Sequence, residues 1–359
     1  MSVRILTGDC RDVLKSLPDE SVHCVVTSPP YWGLRDYGTG NAGIGLEETL
    51  AEHLAAIVEV FREVRRVLRS DGTLFLNYGD AYAGSWGAQG RGDKRSEMEI
   101  GGRIDGTKRK SLSENQIIAH PKRRKTGSLS RSGLKAKDLM GLPWRIAFAL
   151  QDDGWWLRQD IIWAKPNPMP ESVTDRCTNA HEYLFLLSKS ERYYFNADAI
   201  AEPAETEDLR RPYGSPGANA LDPREAPQGG GKLRKVELAR GFRGGSYVNN
   251  KPGPRTATGN TYAPEGFKRN RRSVWNIAVA PFGEAHFATF PPRLAELCVL
   301  AGVTDGGTVL DPFGGAGTVG LVADRLQRDA ILIELNPEYA AMAERRIRGD
   351  APMFAEVSA

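Results

Sequence analysis

Val309-Leu310-Asp311-Pro312-Phe313-Gly314-Gly315-Ala316-Gly317-Thr318 decides the fold of this 359-residue chain. An apolar run ends in an acid, a proline interrupts it, three glycines crowd the next positions, and Thr318 opens a segment with helical spacing. Glycines let a backbone turn tightly and approach a ligand, and a helix start favours a negative group. The stretch therefore reads as strand, glycine loop and helix. Working outward, Ala330 to Glu334 reads as the next strand, with a final helix from about Pro337, and a helix from Arg293 leads into the strand Thr308 to Asp311. At the other end, Val3 to Leu6 reads as the first strand, closed by Gly8-Asp9-Cys10, with a short helix through Leu17. Val22 to Thr27 suits a buried parallel strand. Leu50 to Leu68 has helical periodicity, with Leu54, Ile57, Val58, Phe61, Val64, Val67 and Leu68 on one face and Asp71-Gly72 as its stop. Thr73 to Asn77, Leu157 to Ala164 and Tyr183 to Ser188 read as strands, and Leu139 to Leu150 as a helix. This alternation predicts an α/β fold with a mainly parallel sheet.

Two segments interrupt that pattern. Residues 84–137 are rich in Gly, Ser, Lys and Arg and poor in large apolar side chains, so they cannot form a core of their own. Residues 205–272 interleave arginines with Tyr213, Phe242, Tyr247, Tyr262 and Phe267. The net charge of the chain is +3, yet residues 101–137 carry +9 and 205–272 carry +7, which leaves −13 on the remainder. Basic segments on an acidic body suit a polyanion, with nucleic acid the first candidate; solvated loops are the other reading. The expected divisions are 1–83 as a first catalytic part, 84–137 as a basic insertion, 138–204 as its continuation, 205–272 as a recognition segment and 273–359 as a ligand-binding part. No run of about 18 apolar residues is present, and the N-terminus lacks a secretion signal, so a cytoplasmic protein without a membrane span is expected. Cys10, Cys24, Cys177 and Cys298 are far apart, which argues against a zinc site and a disulfide framework; no metal is expected.

The glycine loop admits two ligands. Gly315, Gly317 and Gly320 fit Gly-x-Gly-x-x-Gly, a pattern of dinucleotide sites that is weak alone. Asp311 at the strand tip would repel a pyrophosphate and attract the sulfonium and ammonium of S-adenosylmethionine, which favours the methyl donor. Glu334, ending the next strand, can accept hydrogen bonds from a ribose diol.

Thr27-Ser28-Pro29-Pro30-Tyr31 follows a buried strand. Pro30 has no N–H, so the Pro29 carbonyl stands without a neighbouring donor. That carbonyl and the Ser28 hydroxyl can both accept from a base amine, and drawing on both amine hydrogens localises the nitrogen lone pair for attack on the sulfonium methyl. Tyr31 offers a face for stacking. A duplex base reaches such a pocket only when flipped out.

Together these motifs resemble the amino-DNA methyltransferases, which make N4-methylcytosine or N6-methyladenine. The catalytic motif precedes the donor motif, an order that resembles the β class. The resemblance covers most of the chain outside the basic segments. It implies a Rossmann-like S-adenosylmethionine-dependent fold, a mainly parallel seven-stranded sheet with inserted DNA-contact segments. It implies Ser28, Pro29, Pro30 and Tyr31 as catalytic, and Asp9, Cys10, Phe290, Asp311, Phe313, Gly315, Gly317, Thr318 and Glu334 as donor-binding. Phe287 to Pro291 looks like the motif that closes over the methionine moiety, and His181-Glu182-Tyr183 sits where related enzymes place residues near the target pocket. The segment 205–272 lies where the β class carries target recognition. Lys122, Arg123, Arg124, Lys125, Arg269, Arg271 and Arg272 are expected to contact double-stranded DNA. The family also implies a companion restriction endonuclease and a monomer or homodimer.

No cysteine follows a proline, which speaks against C5-cytosine chemistry. Ser-Pro-Pro-Tyr is more usual in the N4-cytosine members and Asp-Pro-Pro-Tyr in the N6-adenine members, so N4 of cytosine is favoured by analogy. N6 of adenine stays open, as do an RNA or protein amino-group methyltransferase and a non-catalytic DNA-binding relative.

Overall fold

The computed structural model describes residues 2–33, 43–83, 133–135, 137–203, 268–280, 289–350 and 356–358. The strands are β1 (Ser2–Thr7), β2 (Val22–Thr27), β3 (Leu68–Tyr78), β4 (Trp156–Ala164), β5 (His181–Ser188), β6 (Glu202–Pro203), β7 (Lys268–Arg269), β8 (Val274–Asn276), β9 (Thr308–Asp311), β10 (Asp329–Glu334) and β11 (Glu356–Ser358). The chain divides into two units, residues 1–200 with 272–359, and residues 201–271.

In the first unit a sheet runs in the order β11-β1-β10-β9-β2-β3-β5-β4-β8. Seven strands make its body, and the short β8 and β11 extend its two edges. Only β5 runs against its neighbours, pairing antiparallel with β3 and β4; the other pairings are parallel. Residues alternate between two cores. Phe75, Leu184, Leu186, Val309 and Leu332 face one, with the helices Pro292–Gly302, Thr318–Arg325 and Pro337–Asp350. Leu74, Leu76, Phe185, Leu187, Leu310 and Ile333 face the other, with Leu50–Val67 and Leu142–Asp152. That alternation is the period of a sheet covered on both sides.

The helix Leu50–Val67 begins in a capping box, Thr49 with Glu52. Its buried stripe is Leu50, His53, Ile57, Val60, Phe61, Val64 and Val67. Leu54 and Val58, expected on that face, are only partly buried, because the stripe is rotated toward His53. β3 starts at Leu68, directly from the helix, so Leu68 and Asp71-Gly72 belong to the strand and not to the helix and its stop. No helix among the described residues is long and apolar enough to cross a membrane.

Strand order positions the site. Going outward from the β9–β2 pair, the chain proceeds through β10 on one side and β3 on the other. Ligands of open α/β sheets bind beyond the strand C-termini at such a switch point. Thr27 and Asp311 are the last residues of those two strands.

The glycine loop is tied from behind. Gly317 sits at φ +74, and a Cβ there would lie 2.7 Å from Ala343 Cβ. Gly317 does not itself line the cleft described below, and its small size lets the Pro337–Asp350 helix approach the loop. Arg346 of that helix donates to Ala316 O at 2.8 Å and to Thr318 Oγ1 at 3.0 Å. A Gly317→Val substitution is expected to cost about 2–5 kcal/mol, combining left-handed strain with overpacking; urea unfolding reads it as a lowered midpoint.

The second unit, by itself, contains an antiparallel pair in which Glu202 faces Arg269 and Pro203 faces Lys268. Arg269 Nε donates to Glu202 at 2.9 Å, and the two side chains are 16% and 18% exposed.

Candidate active site

One cleft gathers both motifs. It is lined by Asp9 and Cys10 after β1, by Ser28, Pro29, Pro30 and Tyr31 after β2, by Asp311, Phe313, Gly315 and Thr318 around the glycine loop, by Glu334 at the end of β10, and by Phe290. Of the expected donor and catalytic residues, only Gly317 lies off it. Thr289 also lines it, while Phe287 and Ala288 lie outside the described residues. Ile44, Leu335, Tyr339 and Met342 line it too, and sequence reading missed them. Tyr339 and Met342, three apart on the first turns of the last helix, follow Glu334 closely enough to have been suspected.

The cleft wall holds three carboxylates, Asp9, Asp311 and Glu334, and no Lys, Arg or His among its described lining residues. Asp9 caps the short helix after β1 through the Arg11 amide at 2.9 Å, and the hydrogen bond from the Arg11 guanidinium holds its carboxyl below the usual range. Glu334 is fastened by two amides, accepting from Gly315 N and Asn336 N, each at 2.8 Å. Burial nevertheless pushes its carboxyl up. Asp311 is 2% exposed. Its Oδ1 accepts from Thr27 Oγ1 at 2.6 Å and from Phe313 N at 3.1 Å. Burial pushes its carboxyl up to about 7 against those two bonds, with Glu334 adding to the rise. The Cys10 thiol is pushed up to about 12 by burial and then by Asp9, so it meets a ligand as a neutral thiol.

The loop after β2 is held on its polar side. Ser28 Oγ lies 3.4 Å from Tyr31 Oη, toward which it donates, and Tyr31 Oη donates to Glu182 Oε2 at 3.0 Å. Asn77 Nδ2 donates to the same Glu182 oxygen at 3.2 Å, and Lys165 Nζ lies 2.5 Å from the other. Burial, then the Glu182 charge, raises the Tyr31 phenol well above its usual value, so it serves as a neutral donor. One face of the Tyr31 ring packs on Tyr78, with centroids 4.4 Å apart. Of the stretch His181-Glu182-Tyr183, Glu182 therefore reaches the loop. Exposed His181 sits edge-on to Tyr183, whose ring stacks on Phe185.

Lys122, Arg123, Arg124 and Lys125 lie outside the described residues. Cys10, Cys24 and Cys298 are buried free thiols and Cys177 an exposed one.

The chain matches a family model described as DNA methylase, for the N6 and N4 methyltransferases, over residues 22–345. It is 42% identical to the type II methyltransferase M.SmaI of Serratia marcescens over 96% of this chain and 91% of that one. It is 40% identical to M.Cfr9I of Citrobacter freundii over 96% and 88%. Among solved structures, its fold is similar to that of a putative DNA modification methylase of Thermus thermophilus, TTHA0409, complexed with S-adenosyl-L-methionine. There the TM-score is 0.54 at 22% identity, covering 99% of this chain and 100% of that one. Its fold is also similar to that of the cytosine-N4-specific PvuII DNA methyltransferase, with a TM-score of 0.55 at 19% identity, over 96% and 86%. The chain belongs to the N6/N4 DNA methylase family.

Proposed function

We propose that this protein transfers a methyl group from S-adenosylmethionine to the exocyclic N4 amine of cytosine in duplex DNA, at a base flipped out of the stack. The observation that carries this is the single cleft on which Ser28-Pro29-Pro30-Tyr31 and the three carboxylates meet.

The cleft fits the donor. A wall with three carboxylates and no basic side chain among its described residues suits a sulfonium and an ammonium, and it would repel the pyrophosphate of a dinucleotide. S-adenosylmethionine supplies an electrophilic methyl group. Asp311 and Asp9 would hold its cationic and adenine ends, Glu334 its ribose, and Phe290 and Phe313 would shield it from water. Ser28 Oγ directs its proton toward Tyr31 and keeps lone pairs for the target amine. The Pro29 carbonyl is the second acceptor. With both amine hydrogens so held, the nitrogen lone pair is aimed at the methyl; the N–C bond would form as the methyl–sulfur bond breaks, the thioether S-adenosylhomocysteine would leave with that electron pair, and one amine proton would pass by way of the Ser28 hydroxyl to water. Serine at the head of the motif supports cytosine over adenine.

Arg271, Arg272 and the 122–125 run are proposed to grip phosphates, and the 205–272 segment to read the sequence. Arg269 is better placed to anchor its strand pair through Glu202. A companion restriction endonuclease and a cytoplasmic setting, with the protein as a monomer or homodimer, complete the reading.

The test is incubation of the full chain with duplex DNA and methyl-labelled donor, digestion to nucleosides and mass spectrometry. Label in N4-methylcytosine supports the proposal. Label in N6-methyladenine moves the target to adenine, and label only on RNA or protein overturns the DNA reading.

A further inference from the structure

Behind the Pro-Pro-Tyr loop, on the side away from Glu182, lies a chain of buried polar groups that the mechanism does not use. His53 is fully buried on the inward face of its helix. Its Nδ1 is 2.9 Å from Glu47 Oε2 and its Nε2 is 3.0 Å from Tyr78 Oη. Trp32 N donates to the same Tyr78 oxygen at 2.9 Å, and Pro30 O lies 3.5 Å from it. The proton positions follow from the partners. Glu47 accepts only, so Nδ1 carries the hydrogen and Nε2 accepts from the Tyr78 hydroxyl. Tyr78 Oη in turn accepts from Trp32. Glu47, His53, Tyr78 and Trp32 N then each have a partner, and the one Tyr78 proton points to His53 and not to Pro30 O.

Glu47 also fastens the chain around this point. Its carboxylate accepts from Gly45 N at 2.9 Å, its carbonyl accepts from Trp32 Nε1 at 3.1 Å, and Gly33 N donates to Gly45 O at 2.8 Å. The Tyr78 ring is the surface on which Tyr31 rests. Tyr31 and Trp32 are thus both referred to one side chain of β3, the first through its ring and the second through its hydroxyl oxygen. A buried polar network this complete is costly when half satisfied and rigid when whole.

We propose that Glu47, His53 and Tyr78 form a positioning relay that fixes the backbone of Pro30 to Trp32, and with it the aim of the Pro29 carbonyl and Tyr31 at the target amine. None of the three is placed to react; each acts through the loop. The inference rests on the reading of Thr27–Tyr31 as the target-base loop.

Tyr78→Phe in the full chain keeps the ring under Tyr31 and removes only the shared hydroxyl. Two readouts are needed. Amide exchange of the peptide spanning residues 29–33 is expected to speed up about tenfold or more, with the Val309–Thr318 peptide unchanged. For methyl transfer to duplex DNA, kcat is expected to fall about tenfold or more, with KM for donor and DNA within about twofold, the signature of lost aim. His53→Gln, whose amide can still accept from Tyr78, should recover part of what His53→Leu loses. Unchanged exchange in the 29–33 peptide overturns the relay, whatever happens to kcat. Faster exchange with unchanged kcat reduces the network to a structural clamp and also overturns it, as does a loss confined to donor KM. If the native protein methylates no DNA, the reading of the loop fails instead, and exchange alone still decides whether the clamp exists.

Discussion

Tyr31→Ala is expected to lower the rate of methyl transfer at least about 10²-fold while leaving donor affinity within about twofold. The ring fills the space over Tyr78 and the hydroxyl joins Ser28 to Glu182, so truncation removes both the stacking surface and the group toward which Ser28 directs its proton. A shift of about 1 Å in a reacting group costs rates of that order. Donor affinity is spared because the three carboxylates belong to other elements: Asp9 follows β1, Asp311 ends β9 and Glu334 ends β10. Removing an aromatic ring from a packed site also destabilises, by about 3–5 kcal/mol. Tyr31→Phe separates the two effects, since it keeps the packing and loses only the hydroxyl. Single-turnover transfer to duplex DNA, with donor binding by equilibrium dialysis, checks the prediction; parallel loss of both would remove Tyr31 from the target-base pocket.

The second large effect concerns Asp311. Asp311→Asn keeps an oxygen for Thr27 and Phe313 and removes only the charge. Donor binding is expected to weaken by about 1.5–3 kcal/mol, or roughly 10- to 150-fold, as for loss of a charged partner. The native protein should show the same charge in its pH dependence. Asp311 titrates near 7 in the free protein because burial opposes its ionisation. A cationic donor favours the ionised form, so binding lowers that value and releases a proton. Donor affinity should therefore fall as pH drops below about 7 and level off above it. In Asp311→Asn the Asp311 contribution to this slope disappears. Calorimetry between pH 5.5 and 8.5 measures it; an unchanged slope in the variant would assign the pH dependence to another group, with Glu334 the next candidate.

Much of the fold was legible because its strands are short apolar runs stopped by turn residues. Val22–Thr27 and Thr308–Asp311 have the bounds read from sequence. Most of the expected donor residues share one cleft because they sit at strand C-termini, where chain order and chemistry coincide. Other features have no local signature. A buried histidine does not announce itself in hydrophobic periodicity: Ile57, Phe61, Val64 and Val67 are legible on the buried face of Leu50–Val67, and His53 beside them is not. Its partners, Glu47 and Tyr78, come from a loop and a strand that meet it only in three dimensions. A glycine pattern does not say that Gly315 lines the cleft while Gly317 packs against Ala343 of the last helix.

The sheet order also has a consequence for how the molecule is made. β1 and β2 leave the ribosome early, but the places between them belong to β9 and β10. Thr27 must wait for Asp311, 284 residues further along the chain. Until then the nascent sheet carries open strand edges on either side of a gap, the kind of surface that mispairs when exposed. The gap closes only when β9 and β10 insert side by side, and that event also builds the cleft. Premature termination anywhere before residue 308 should therefore yield no partly active enzyme, only a polypeptide whose central sheet cannot be completed.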